Sequence, residues 1–446
     1  MKQSLQIIFL SGALTALLTG NAAALDREMA RFAANKETQA REFAEAQTEK
    51  VPSITWSFFD AVRVDDWETA STLFARLRQL NGRYTGEEKE AAAGLQTAVW
   101  SPIAETFGAY EEFHNWDNKL LRRFGREVME TVPARSIYFG GTEAGRFIIS
   151  ALSESHRDGQ PFFTLTQNQL ADMAYLEYLR KMYGTKIYVP TVEDSQRIFQ
   201  EYVADAQARL KAGRLKPGED VRVVDNQVQV RGQVAVMEIN ARLVRLILEK
   251  NPGRDFFVEE GIPLDWMYPH LSPEGLVFRL NPTPLSALGA ETIQKNNDYW
   301  RRLAGELVGE WLNEKTSVKD VCEFAEKVFR QKKVSGFRSD AAFLQDREAQ
   351  ECFSKARAAI GGLYVWRANR AKDNDEKARM NRAAEFAYRQ AFALCPRSAD
   401  ALVRYGELLK DLKRTDDALL LAKTSLQISP DNPQARSLIR SLSRSE

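Results

Sequence analysis

The apolar residues at positions 53–131 recur every three or four residues, which is typical of amphipathic helices. Asp66 precedes one such run, at 67–77, and aspartate is a preferred residue just before the first turn of a helix. We therefore predict a helical region over residues 25–132 that contains a repeat-like helical hairpin.

The middle of the chain changes to short apolar runs that alternate with helical patterns. Such alternation predicts βαβ units and a mostly parallel sheet. Two of the runs flank Asp225-Asn226-Gln227, a polar turn that predicts a β-hairpin. We therefore expect a three-layer α/β domain over residues 133–282 and a helical connector over residues 283–316. The runs that predict strands are 136–141, 162–166, 186–189, 221–224, 228–230, 255–258 and 275–280.

Helical spacing returns at Ser317, and one pattern then occurs twice. The two copies are 34 residues apart and consist of Ala384, Tyr388, Ala391 and Pro396, and of Ala418, Ala422, Ser425 and Pro430. This period and pattern are those of the second helix of a tetratricopeptide repeat. We therefore predict tetratricopeptide-like helical repeats over residues 317–446. Because a repeat array needs about three units, helices at 318–332 and 341–371 are expected to complete it.

The last repeat predicts a surface for a partner. Its first helix begins at Ala399, and its packing positions are Leu402, Tyr405, Gly406 and Leu409. The positions that would face the concave groove are Asp400, Val403, Glu407, Lys410 and Asp411. Such arrays bind protein or peptide partners on that surface. Every amphipathic hairpin has a polar face, however, so these residues also fit a purely structural repeat.

Charge and length restrict the class of partner. The chain has 446 residues, which is enough for two or three domains with cores. Its 62 basic and 61 acidic side chains leave it almost neutral. A neutral chain argues against electrostatic capture of nucleic acid or of an anionic membrane.

The N-terminus predicts export. Lys2 precedes an apolar run at 5–18, and small residues follow at 19–24. This arrangement is typical of a secretory signal peptide over residues 1–24, which would leave a periplasmic or extracellular protein. The alternative is an uncleaved segment that anchors the protein in the membrane, although the run is short for a bilayer span. No later stretch is apolar enough to predict a transmembrane helix in the mature chain.

The cysteines and histidines give little support for a metal site or a cofactor. Cys322 and Cys352 could form a disulfide in an oxidising compartment, which would leave Cys395 over. Alternatively, all three are small buried side chains. The chain has no C-x-x-C pair, and its three histidines are scattered. We therefore predict neither a metal site nor a cofactor.

A glycine loop at 140–146 is the first candidate ligand site. It joins a predicted strand to a predicted helix, where backbone N–H groups can bind phosphate. Arg146 and Phe147 stand where a P-loop has lysine and serine or threonine, so the loop does not indicate nucleotide hydrolysis. Weak binding of an anion or another ligand remains open, as does a plain turn. The candidate residues here are Gly140, Gly141, Thr142 and Arg146.

Polar residues after other strands extend this candidate site. Ligands of open parallel sheets bind beyond the carboxyl ends of the strands, where Asn168, Asp265 and Trp266 are expected. The alternative for 259–270 is a packed aromatic loop. Glu259 and Glu260 are neighbours and would point in opposite directions. No motif pairs a nucleophile with a base, so catalysis is the less favoured alternative.

Three phrases carry a family resemblance: 136–147 (SIYFGGTEAGRF), 162–172 (FFTLTQNQLAD) and 257–268 (FVEEGIPLDWMY). They resemble the soluble C-terminal region of bacterial membrane proteins that are similar to protein O-mannosyltransferases, over about residues 115–446. The resemblance implies an α/β region followed by tetratricopeptide repeats. The catalytic acid of such transferases lies near their first membrane helix, which this chain lacks, so the resemblance carries over no catalytic residue. It implies an accessory region made as a separate exported protein.

These patterns favour an exported, non-catalytic binding or scaffold protein whose repeats hold a protein or peptide. The alternative is a glycan-binding or glycosyl-transfer accessory of the cell envelope that uses the strand-end loops. A third possibility is that the repeats only brace the α/β domain.

Overall fold

A computed structural model describes residues 8–82, 91–153, 159–184, 186–224, 227–259, 264–335 and 339–443, with side chains from Arg27 onward except Gln227. The protein is mostly helical and has a small mixed five-stranded sheet. Its helical N-terminal and C-terminal regions agree with the predicted ones. The predicted signal segment lies outside the residues whose side chains are described, so it stays a prediction.

The helices of the first half are α1 (Ile8–Glu45), α2 (Ile54–Arg63), α3 (Trp67–Asn81), α4 (Trp100–Asn115), α5 (Asn118–Thr131), α6 (Ile149–Ser153), α7 (Met173–Tyr183), α8 (Val192–Lys211) and α9 (Gly232–Lys250). Those of the second half are α10 (Ala290–Val308), α11 (Val318–Ala325), α12 (Arg347–Ala368), α13 (Asn374–Leu394), α14 (Ala399–Asp411), α15 (Thr415–Ile428) and α16 (Pro433–Leu442). The strands are β1 (Ile137–Gly140), β2 (Phe163–Thr166), β3 (Asp220–Val224), β4 (Gln227–Arg231), β5 (Phe256–Val258), β6 (Leu271–Glu274) and β7 (Val277–Leu280).

The chain divides into two compact units, and each is discontinuous in sequence. The first consists of residues 1–118 and 143–254, and the second consists of residues 119–142 and 255–446. Within the described residues, no helix is long and apolar enough to cross a membrane.

Local signals in the first unit place its elements correctly. The Asp66 carboxylate accepts a hydrogen bond from the Thr69 amide at 3.0 Å, which confirms the predicted start of α3. Thr191 and Asp194 form a capping box at the start of α8. The predicted hairpin is confirmed as β3 and β4, which pair antiparallel and form a separate two-stranded sheet. The helices α8 and α9 contribute Tyr202, Ala206 and Ala235 to a small core with Val221 of β3.

The strand predicted at 186–189 is wrong. Ile187 and Val189 are buried, which explains the apolar signal, but the segment joins no sheet. The Asn251 side chain satisfies the backbone of Tyr188 instead. The Tyr188 amide donates to Asn251 Oδ1 at 2.7 Å, and Asn251 Nδ2 donates to the Tyr188 carbonyl at 3.1 Å. Burial and β-propensity are therefore not enough here, because no neighbouring strand supplies the hydrogen bonds.

Four strands of the second unit follow the order β1-β5-β7-β6. β1 pairs with β5 in parallel, whereas β5 with β7 and β7 with β6 pair antiparallel. The predicted mostly parallel arrangement is therefore replaced by a mixed one. β6 was not predicted, since it contains Pro273, a residue that sequence patterns treat as a strand breaker.

From Ser317 onward the described residues of the second unit are helices and turns, as predicted. Both copies of the 34-residue pattern have their helical positions buried: Ala384, Tyr388, Ala391, Ala418, Ala422 and Ser425 are each at most 2% exposed. A Cβ atom at Gly406 would lie 2.4 Å from a methyl carbon of Leu438, so α14 and α16 approach closely at this glycine. These positions therefore lie on the buried faces of their helices, and the repeat assignment itself stays a prediction.

Cys322, Cys352 and Cys395 are free and buried, so the alternative of three small buried side chains holds. The Cys395 thiol donates a hydrogen bond to the Glu351 carboxylate at 3.2 Å. Burial raises the pKa of the Cys322 thiol to about 11. Both thiols are therefore kept protonated and unreactive.

Candidate functional site

The glycine loop after β1 holds an anion that belongs to the protein itself. The backbone amides of Gly141 and Thr142 donate to the Glu259 carboxylate at 2.8 and 2.7 Å, and the Thr142 hydroxyl also donates to it. Glu259 follows β5, and the parallel pairing of β1 with β5 brings both carboxyl ends to one edge. Glu259 thus occupies the amides that the sequence offers to an external anion.

The burial of Glu259 explains why these donors converge on it. The residue is 2% exposed, and a buried carboxylate is costly unless hydrogen bonds replace its water. Two amides and a hydroxyl provide these hydrogen bonds. Gly140, which ends β1 and precedes these residues in the chain, is also buried. Glu260, the neighbouring carboxylate, lies outside the described residues. The loop is therefore a structural anchor that fixes β5 beside β1.

Arg146 and Asn168 come together in the first unit. Arg146 lies in a π turn at Ala144–Ile148, and its Nη1 is 3.4 Å from Asn168 Oδ1. Its guanidinium also pairs with Glu143 and lies over the Phe147 ring, 4.4 Å from the ring centroid. The backbone carbonyl of Asn168 accepts a hydrogen bond from Asn240. Protein groups therefore engage both terminal nitrogens of Arg146, whereas its buried Nε has no protein acceptor.

Asp265 and Trp266 lie in the loop between β5 and β6. Asp265 is exposed, and Trp266 is partly buried. The Trp266 ring packs edge-on against His270, with 5.9 Å between the ring centroids. The predicted alternative of a packed aromatic loop is therefore confirmed in part, while the Asp265 carboxylate stays accessible.

A cluster at the C-terminal end of α12 was not predicted. Tyr268 stacks on Trp366 of α12, with ring centroids 5.4 Å apart and an angle of 18° between the planes. The Arg370 guanidinium lies 4.2 Å from the Trp366 ring centroid. Arg367 donates to the backbone carbonyls of Leu285, Tyr268 and Pro269. The C-terminal end of α12 is thus bound to the loop that carries Asp265 and Trp266.

Two adjacent glycines bring α13 and α14 against α12. A Cβ atom at Gly361 would lie 2.5 Å from the Tyr388 ring, and one at Gly362 would lie 2.7 Å from Arg404 Nη1. Neither Tyr388 nor Arg404 could keep its position beside an alanine. A glycine pair in the interior of a helix is unusual because it weakens the helix, so it signals close approach. This sequence signal could have located the cluster.

Charged groups of the 264–270 loop and of α14 both affect the Tyr268 hydroxyl. Burial raises the pKa of the Tyr268 hydroxyl, Arg404 opposes this rise, and Asp265 adds to it. Burial likewise raises the pKa of Tyr388, again with Arg404 in opposition. Asp265 and Arg404 therefore act on the same tyrosine hydroxyl. We call Asp265, Tyr268, Trp366, Tyr388 and Arg404 the Tyr268 cluster.

The face of α14 that carries the predicted groove positions, next to Arg404, is accessible to solvent. Each of the five predicted groove residues is exposed or partly exposed: Asp400, Val403, Glu407, Lys410 and Asp411. The predicted packing positions are buried, as expected for the opposite face. Glu407 and Lys410 form an ion pair of 3.2 Å between exposed groups. The structure thus places the predicted groove residues on one helix face beside an aromatic and cationic cluster.

The described residues contain no group of three or more histidine, cysteine, aspartate or glutamate side chains that could hold a metal ion. Comparison of the chain with protein-family models, with curated proteins and with solved structures finds no match. The site itself must therefore carry any functional argument.

Proposed function

We propose that the protein is an exported, non-catalytic binding or scaffold protein. In this proposal α12–α16 are tetratricopeptide-like hairpins, and the α14 face beside the Tyr268 cluster binds a protein or peptide segment. The supporting observation is the α14 face, which combines an exposed Arg404 with accessible apolar and acidic positions. Aromatic and arginine side chains are the residues that most often dominate binding energy at interfaces.

The bracing role is divided between helices. Arg367 at the end of α12 holds three backbone carbonyls of neighbouring loops, so this helix supports the strands of its own unit. No comparable backbone clamp among the described residues covers the α14 face. The proposal therefore assigns bracing to α12 and partner binding to α14.

Two matched double variants of the full chain test the binding proposal. Val403→Glu with Arg404→Glu changes the α14 face, whereas Leu420→Glu with Lys423→Glu makes the same change on exposed positions of α15. Cross-linked partners captured from an envelope extract are identified by mass spectrometry. We expect the α15 variant to retain the wild-type partners and the α14 variant to lose them. Equal recovery by both variants contradicts the proposal.

Export is a separate part of the proposal. We expect the mature protein to begin after residue 24 and to occur in the periplasmic or extracellular fraction. Intact-mass measurement of the purified protein checks the first point, and cell fractionation checks the second. An unprocessed chain in the membrane fraction would instead support anchoring by the N-terminal segment.

The second candidate function is glycan binding or support of glycosyl transfer in the cell envelope. It rests on the family resemblance and on the accessible Asp265 beside Trp266, since carboxylates and aromatic rings are suited to sugar hydroxyls and faces. Sugars and sugar phosphates that bind should raise the melting temperature, because a ligand of the native state stabilises it. The rise should disappear in Trp266→Ala. No shift with any sugar counts against this candidate.

A further inference from the structure

A cavity of about 460 Å³ lies in the second unit and shares no lining residue with the Tyr268 cluster. Its walls come from the π turn at Glu326–Arg330, from the segment that follows, from the start of α12 and from the turn between α13 and α14. The residues that decide its chemistry are Val328, Lys332, Leu344, Arg347, Gln350 and Arg397. This volume is within the usual range for small-molecule sites.

The charged side chains that line the cavity are all cationic. They are Lys332, Arg347 and Arg397, and no acidic side chain lines it among the described residues. None of the three forms an ion pair within the part of the chain that the structure describes. Arg397 Nε is buried, and no protein group accepts a hydrogen bond from it. Three cations that line one cavity without an ion pair favour an anionic ligand.

Gln350 adds a second and independent observation. The residue is 1% exposed, and its Nε2 donates to the Phe343 carbonyl at 2.7 Å. Its Oε1 is buried, and no protein group donates to it. Buried polar atoms are nearly always hydrogen-bonded, so a ligand with an N–H or O–H group would supply the hydrogen bond that Gln350 Oε1 lacks.

Apolar walls complete the site. Val328 is buried, Leu344 is partly buried, and Val334 remains 48% exposed beside the cavity. Lys332 has a left-handed backbone with φ of 58°, a conformation that glycine adopts more easily. The chain nevertheless has a lysine at this position, and its side chain is one of the three cations that line the cavity.

We propose that this cavity binds a small organic anion that carries an apolar group and an N–H or O–H donor. The cations receive the anionic group, Gln350 Oε1 accepts from the donor, and Val328 and Leu344 contact the apolar group. The site is distinct from the α14 face, so its test does not depend on partner binding there.

Four small probes separate these contributions in calorimetric titrations of the full-length protein. N-acetylleucinate has the charge, the N–H group and the apolar branch. Isocaproate, the branched carboxylate, lacks the acetamido group that carries the N–H. N-acetylleucinamide lacks the charge, and N-acetylglycinate lacks the apolar branch. We expect the complete probe to bind with a Kd below about 1 mM. Each truncated probe should bind about tenfold more weakly or worse, because each lacks one type of contact.

Variants locate the binding in the cavity. Arg397→Gln and Arg347→Gln should each weaken N-acetylleucinate about tenfold, as expected for a lost charged contact. Arg440→Gln removes an exposed cation from α16 and serves as the matched control, with unchanged affinity expected. Gln350→Met keeps a similar volume and should remove the difference in affinity between N-acetylleucinate and isocaproate.

Three outcomes overturn the proposal. One is a Kd above about 1 mM for all four probes. Another is equal affinity for the charged probe and its amide, which would exclude recognition of the anion. The third is unchanged binding in both cavity arginine variants, which would place the probe elsewhere. Circular dichroism of every variant confirms that each loss concerns binding and not folding.

Discussion

The two compact units each bury a cation, and they stabilise it with different kinds of neighbour. In the first unit, Lys36 Nζ lies 2.6 Å from the Glu105 carboxylate and 2.6 Å from the Tyr178 hydroxyl. In the second unit, Arg357 is fully buried and donates to neutral amide oxygens. The acceptors are those of Gln390 at 2.7 Å, Asn296 at 2.9 Å and Asn297 at 3.1 Å.

The contrast shows what each cation requires. Burial lowers the pKa of Lys36, and the charge of Glu105 opposes this effect. Burial lowers the pKa of Arg357 to about 10, so it stays protonated at neutral pH although no carboxylate among the described residues pairs with it. A guanidinium spreads its charge over five N–H donors, which neutral oxygens can satisfy, whereas a compact ammonium depends on a nearby negative charge.

The largest expected effect comes from Lys36→Met. The change leaves the Glu105 charge buried without its cation, which should lower the free energy of unfolding by about 3–5 kcal/mol. The unpaired carboxyl then has a raised pKa, so the variant loses more stability as the pH rises, and the deficit should be larger at pH 8 than at pH 5. Urea denaturation at both pH values measures it. Lys423→Met, at an exposed lysine, should change stability by less than about 0.5 kcal/mol.

Arg357→Met should cost less, about 2–3 kcal/mol, because it leaves only neutral amides without a donor. The cost should be nearly the same at pH 5 and at pH 8, since no charged group remains unpaired at the site. The same urea experiment measures it, with Arg440→Met as the surface control. A cost above that of Lys36→Met, or a strong pH dependence, would show that the comparison of the two cations is wrong.

Glu219 in the first unit extends the comparison to a buried carboxylate. Although burial opposes the shift, hydrogen bonds from Arg209, the Lys216 amide and Tyr202 lower the pKa of Glu219 to about 2. The folded-state pKa is thus below the unfolded value of 4.5, so this stabilisation is complete above pH 4.5 and is lost as the pH falls towards 2. Glu219→Gln should cost on the order of 2 kcal/mol at pH 7 and should flatten the acid limb of the stability curve. An unchanged acid limb would contradict this assignment.

The smallest effect is expected from the triple variant Lys36→Met, Glu105→Leu and Tyr178→Phe, which removes the ion pair together with the buried hydroxyl that bonds to both of its members. Replacing a buried ion pair and its polar partner by apolar residues of similar size is often neutral, so stability should lie within about 1 kcal/mol of the wild type. A triple variant as unstable as Lys36→Met would mean that these side chains are needed for packing and not only to balance charge.

Local patterns predicted much of the helical structure. The cap at Asp66 and the capping box at Thr191 lie within one helical turn of the groups that they bind, so adjacent residues are sufficient to recognise them. The β3–β4 hairpin follows from two short runs and a polar turn. The buried positions of the 34-residue pattern likewise depend on the periodicity of single helices.

Contacts between distant residues could not be predicted in this way. Glu259 reaches amides that lie 118 and 117 positions earlier in the chain, and Lys36 meets Glu105 across 69 positions. The failed strand at 186–189 has the same cause, because Asn251 supplied the hydrogen bonds that a neighbouring strand was expected to provide.

The sequence by itself determined the helices, their caps, the hairpin and the face of α14 that stays accessible, since each depends on spacing within a few residues. Only the tertiary structure decided that the glycine loop is occupied by Glu259, that the sheet is mixed and that two buried cations have different partners. Those outcomes depend on which distant groups share a dry interior, where each buried charge or amide must find a partner.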